Sequence, residues 1–162
     1  VAAAIVLKFL QSRKGEPSSK AGLPIKVNAK RYFFTKAETG FYKTLLPIAT
    51  EMGLTVCPKV GLWDVFDDAH GAPKHQANRY KQKHVDFLLL KGGNFQPAIG
   101  IELDGTSHQS DRQKGRDMVK DEVFRSAKVP LLRFQNQQSY DQGEIRKRLN
   151  EALVAASVGS GA

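Results

Sequence analysis

Cysteine is nearly missing from this chain of 162 residues. Cys57 stands alone, which excludes an internal disulfide and a cysteine-rich zinc site and fits a reducing, cytoplasmic compartment. No activating pattern surrounds it, so it reads as a small strand residue. Long apolar runs are missing too. Val1–Leu10 (VAAAIVLKFL) is too short for a bilayer crossing, which takes about 20 residues, and it lacks the basic start and cleavage site of a secretory signal. Two readings of it stay open: a short helix, or the end of a membrane tether that begins upstream of residue 1, with Lys8, Arg13 and Lys14 on its cytoplasmic flank. No internal repeat is present.

Acidic residues are outnumbered, 16 against 25 Lys and Arg, for a net charge of +9. A surplus of that size favours a polyanionic partner such as nucleic acid. It is unevenly spread: residues 1–83 hold 14 basic and 6 acidic side chains, while residues 84–162 hold 11 and 10. Cations to hold a phosphate backbone and carboxylates to hold a metal therefore lie in different halves of the chain.

With 41% hydrophobic and 25% charged residues, the composition is that of one globular domain with a sizeable core. Residues 1–26 comprise the apolar segment and a polar, Gly/Pro/Ser-containing linker, 27–157 the folded domain, and 158–162 a small-residue disordered tail. Thr35 with Glu38 forms a capping box ahead of a helix whose apolar positions are Phe41, Leu45, Ile48 and Met52. Pro47 is expected to kink or divide that helix, and Gly53 to end it. Strands follow at Leu54–Val60, extended through Leu62–Phe66, at His84–Lys91, at Gln96–Gly105 and at Val129–Asn136. Helices are predicted over Asp111–Ala127, with Met118, Val119, Val123 and Phe124 inward, and over Asp141–Ala156. The order predicts an α/β fold with a mixed sheet flanked by helices.

The chemistry concentrates in the hairpin HVDFLLLK–GGN–QPAIGIELDG. Alternation puts Asp86 on one face of its strand and Glu102 with Asp104 on one face of the next. Three carboxylates so placed repel one another among apolar flanks, and a divalent cation resolves the conflict. Their hard oxygens suit Mg²⁺, or Mn²⁺ in its place, which polarises a phosphate and acidifies an attacking water. His108, four residues after Asp104, is a candidate base, phosphate contact or ligand. Glu38 completes its capping box or reaches the metal from above the sheet. Arg112, Arg116 and Lys120 recur every four residues as a basic stripe, suited to phosphate contact or to salt bridges with Asp117 and Asp121. Lys74, Arg79, Lys81 and Lys83, with Tyr80 among them, form a basic loop that reads equally as a backbone contact or a solvated loop. Arg133, inside the apolar LLRF run, is expected to pair with a carboxylate or to project past a sheet edge.

The combination of KHVDFLLL, IELDGTSH, Arg116–Asp117 and VPLLRFQN resembles the very-short-patch-repair-like branch of the PD-(D/E)xK nuclease superfamily. It also resembles a bacterial family of uncharacterised domains placed in that branch, over about Lys30 to Leu149. The resemblance implies a restriction-endonuclease-like αβββαβ core and Mg²⁺-dependent phosphodiester hydrolysis. Asp86 matches the first metal aspartate and Glu102 the acidic residue of the (D/E)xK element. His108 matches the histidine after the ELDG strand, and Glu38 the helix glutamate. Asp104 stands where the superfamily has lysine, as it does in relatives within the branch, so that role would pass to Lys120, Arg116 or His108. Three functions are expected in descending order: an endonuclease on DNA, a degenerate nuclease fold that binds nucleic acid without cutting, and a membrane-tethered interaction domain.

Overall fold

The computed structural model describes residues 25–73, 75–105 and 111–158, with the side chains of 111–117 excepted. Val1–Leu10, the linker, Lys74, His108 and the tail beyond Val158 lie outside the described residues. The chain divides into two compact units, Val1–Arg31 and Tyr32–Ala162. In the first, residues 25–31 are irregular and exposed.

The second unit runs α1 (Lys36–Glu51), β1 (Leu54–Gly61), two 3₁₀ turns (Leu62–Asp64 and Gln76–Arg79), β2 (His84–Lys91), β3 (Gln96–Asp104), α2 (Asp111–Ser126), β4 (Leu131–Gln135) and α3 (Gln142–Val158). At the start of α1 the capping box is complete. Thr35 Oγ1 accepts the Glu38 N–H (3.2 Å) and Glu38 Oε2 accepts the Thr35 N–H (2.7 Å). Pro47 does not divide the helix, because Phe41, Leu45, Ile48 and Ala49 on either side of it are all buried in the core and hold the turns together. Gly53, at φ +70°, ends it in the left-handed conformation that lacks a Cβ penalty.

The four strands lie in the order β1-β2-β3-β4, antiparallel across the first two pairs and parallel across the last. A parallel pair needs a crossover, and α2 supplies it. On one face, Phe87, Leu89, Ile99, Ile101 and Phe134 meet Phe41, Leu45 and Ile48 of α1 and Ile145 and Leu149 of α3. Each such buried side chain contributes roughly 1.5–3 kcal/mol. On the other face, Leu88 packs with Leu62, Tyr80 and Phe124 of α2. The result is a mixed sheet flanked by three helices. Among the described residues no helix is long and apolar enough to cross a membrane.

Two local expectations are corrected. Leu62–Phe66 does not extend β1: the chain turns into a 3₁₀ helix, and Leu62 is drawn into the core. Met118 is 70% exposed. Val123 and Phe124 define the inward stripe of α2, and Lys120, one turn before Phe124, shares it, whereas Met118 falls on the opposite side of the helix.

Gly100 brings α2 close to the sheet. A Cβ there would lie 2.4 Å and 2.6 Å from Phe124 Cε1 and Cζ and 2.9 Å from Leu131 Cδ1. The ring of Phe124 therefore rests on the β3 backbone two residues before Glu102. Gly100→Ala should lower the free energy of unfolding by about 1–3 kcal/mol through overpacking, read as a shift in the urea midpoint at unchanged slope. An unchanged midpoint would show that this contact carries no weight.

Candidate functional site

The hairpin register sets the site. Leu88 pairs with Gly100 and Phe87 with Ile101, so the next step places Asp86 opposite Glu102. There the backbone ladder gives way to a side chain: the Leu103 N–H donates to Asp86 Oδ2 at 2.9 Å. Across the parallel pair, Glu102 stands beside Arg133. Residues directly opposite share a face, so Asp86, Glu102 and Arg133 lie abreast on the three inner positions facing α2.

Glu102 is buried, at 7% exposure. Lys120, from the inward stripe of α2, donates to its Oε2 at 2.6 Å. The other oxygen, Oε1, is buried and has no hydrogen-bond partner among the described residues. Burial raises the pKa of Glu102, and the nearby Asp86 carboxylate adds to the rise. Lys120 and Arg133 oppose it, and the balance leaves the group above the ordinary glutamate value of 4.5.

Asp104 is held by Arg133, whose Nη1 reaches its Oδ1 at 3.2 Å while Nη2 reaches Asp121 Oδ1 on α2 at 2.9 Å. Arg133 is fixed from behind as well. Arg148 donates to its carbonyl at 2.8 Å and lies 4.1 Å above the Phe134 ring. The expected pairing of Arg133 with a carboxylate thus holds twice over.

Glu38 gives one oxygen to the Thr35 N–H and the other to Lys59 Nζ at 2.6 Å. Lys59 adopts φ +52° and interrupts the β1–β2 pairing between Pro58↔Phe87 and Val60↔Val85, opposite Asp86. Burial pushes the Glu38 pKa up, but the bonds from Lys59 and Thr35 outweigh it and leave the group low. Both of its oxygens are therefore engaged within α1 and β1.

The structure thus brings Asp86, Glu102 and Lys120 together, sets Asp104 beside them through Arg133, and ties Glu38 to Lys59. Arg79 pairs with Glu122 of α2 at 2.9 Å, next to a cleft of about 330 Å³ lined by Phe66, Tyr80 and Val123 that none of the site carboxylates reaches. Lys81 is exposed and Lys83 half-buried, on a segment pinned to the β1 end by the Leu62 N–H donating to the Lys83 carbonyl (2.9 Å). The side chains of Arg112 and Arg116, and His108, lie outside the described residues. Sequence reading offered Asp121 only as a partner for the basic stripe of its own helix and gave Lys59 no place at the site. The signal for Asp121 was Arg133 itself, because an arginine inside an apolar strand is rarely buried without a partner.

The donor set bears on a hard cation. Asp86 and Glu102 supply oxygens on adjacent strands, and the orphaned Oε1 of Glu102 is a buried lone pair without a donor, which fits Mg²⁺ or Mn²⁺. Asp104 and Glu38 are engaged with cations of the chain itself. Among the described residues no group of three or more His, Cys, Asp or Glu side chains is assembled for a metal ion.

Residues 30–153 match the model of a family described as "Protein of unknown function (DUF2726)", and the chain belongs to that family. Comparison with curated proteins finds no match, and comparison with solved structures finds none.

The raised pKa of Glu102 has a definite sign. Its folded value lies above 4.5, so the stability it contributes is full below that value and is lost as pH rises through the folded pKa. Carbon-13 NMR of the side-chain carboxyls should show Glu102 titrating above 4.5. Lys120→Met should move the midpoint further up by removing the nearest positive charge. A midpoint at or below 4.5 in the unaltered chain would contradict the assignment of burial as the dominant cause.

Proposed function

We propose that this chain is a metal-dependent nuclease of the PD-(D/E)xK type that hydrolyses phosphodiester bonds in DNA. The observation that carries the reading is the buried Oε1 of Glu102, without a hydrogen-bond partner among the described residues, on a residue whose register position lies opposite Asp86 and whose other oxygen takes an ammonium. The order of elements from α1 to β4 is the αβββαβ order that the sequence resemblance implies, and the family match covers the same stretch. The basic surplus of the first half supplies a surface for a polyanion.

Asp86 and Glu102 would hold Mg²⁺ or Mn²⁺, with Asp104 able to join by exchanging Arg133. Bound there, the metal would polarise the scissile phosphate and acidify the attacking water. Lys120 neutralises charge that builds on the phosphate oxygens, the task of the lysine that Asp104 displaces. His108, on the segment after β3, is placed in the sequence to move the proton. Arg112, Arg116, Lys81 and Lys83 hold the backbone of the nucleic acid, and Arg79 joins them on leaving Glu122. Glu38 keeps the start of α1 fixed against β1.

A second reading draws on a specific observation: Lys120 and Arg133 pair with Glu102 and Asp104, so the chain's own cations neutralise these carboxylates, as in a nuclease fold retained for binding. A plasmid-nicking assay decides between them. Supercoiled DNA should be nicked with Mg²⁺ or Mn²⁺ and not with EDTA. Asp86→Ala and Glu102→Ala should each cost two orders of magnitude or more in rate, about 2.7 kcal/mol of transition-state stabilisation, while salt-sensitive DNA binding persists. Binding without nicking would establish the second reading. Nicking indifferent to EDTA and to both substitutions would overturn the first.

A further inference from the structure

Two ion pairs join α2 to the sheet side by side. Lys120 meets Glu102 at 2.6 Å, and the next residue of the helix, Asp121, meets Arg133 at 2.9 Å. Glu102 and Arg133 are themselves register partners on β3 and β4. Helix and sheet therefore present opposite sequences of charge, Lys–Asp against Glu–Arg. Shifting α2 by one residue would create a like-charge pair in either direction, Asp121 against Glu102 one way and Lys120 against Arg133 the other. The Arg133 fork also spans two carboxylates, Asp104 through Nη1 and Asp121 through Nη2. A planar guanidinium can bridge two such groups in fixed geometry, and a lysine cannot.

We propose that Arg133 is a positioning residue: by holding Asp121 it fixes the register and rotation of α2 that seat Lys120 on Glu102. The pair at Glu102 is buried, whereas the Asp121 side chain is 55% exposed. The outer pair thus acts as an adjustable clasp whose loss loosens the inner one without emptying the core. The Phe124–Gly100 contact keeps the helix on the sheet but does not select which charge faces Glu102. The consequence for catalysis rests on the nuclease reading; the positioning of Lys120 does not.

The test reads Lys120 directly. In a ¹⁵N-lysine-labelled chain, an ammonium seated on a buried carboxylate exchanges slowly with water and gives a side-chain ammonium signal, identified by its loss in Lys120→Met. Asp121→Asn and Arg133→Lys should both erase that signal, while Asp121→Glu should keep it. Thermal melting of Asp121→Asn is expected to stay near that of the unaltered chain, because the residue lies at the surface. In the nicking assay Asp121→Asn should lower kcat about tenfold or more with KM for plasmid unchanged, and Asp121→Glu should restore it. A Lys120 signal that survives both Asp121→Asn and Arg133→Lys overturns the proposal, as does its absence from the unaltered chain. Should the unaltered chain show no nicking, the nuclease reading falls, and the ammonium signal alone still decides the positioning role.

Discussion

A carboxylate without full solvation sits in the middle of this sheet, and much of the surrounding structure answers to it. Glu102 lies between apolar Ile101 and Leu103 on β3, with one oxygen on Lys120 and the other without a partner among the described residues. Leaving such a group without a counter-charge in a low-dielectric setting costs several kcal/mol, so the helix that carries Lys120 must come down at one place and in one rotation. Gly100 gives Phe124 the clearance to approach, and Arg133 with Asp121 selects the register. A stripe that is otherwise apolar contains a lysine because its partner is part of the sheet.

Asp86 adds the second half of the constraint. Where the β2–β3 ladder runs out, its carboxylate takes the Leu103 N–H, which holds the two strands together while bringing a second negative group toward Glu102. Burial raises the Glu102 pKa in spite of two nearby cations, and repulsion from Asp86 adds to the rise. A divalent cation would relieve an arrangement that is costly in the resting protein, and the proposal of a metal centre rests on that. On the opposite side of β1, Lys59 leaves regular pairing to satisfy Glu38, so this glutamate serves the helix start.

Local patterns in the sequence carried the fold well. Alternation and the Gly92–Gly93–Asn94 turn delimit β2 and β3, with β3 ending at Asp104, and Thr35 with Glu38 marks the start of α1. These are signals between residues a few positions apart. The candidate site was legible as far as one hairpin reaches: the register sets Asp86 opposite Glu102. What could not be read depends on distant parts of the chain. That Lys120 would spend itself on Glu102, and Arg133 on both Asp104 and Asp121, follows from how α2 lands after its crossover. The positive φ of Lys59 and the 3₁₀ turn at Leu62–Asp64 arise toward the end of β1, where Pro58 signals an irregular point in the strand without announcing the left-handed turn of the residue after it. Met118 was misplaced because a methionine beside Val119 looks inward until the helix is seen to bury Val123 and Phe124 instead.

The central claim is that Asp86 and Glu102 form one site with a lone pair to offer a hard cation. Manganese titrated into the ¹⁵N-labelled chain measures this without any substrate. Paramagnetic broadening should begin at the amides of Asp86, Phe87, Glu102 and Leu103 with a single saturable site, and Glu102→Gln should weaken the affinity about tenfold or more. Broadening centred elsewhere, or an affinity indifferent to Glu102→Gln, would contradict it.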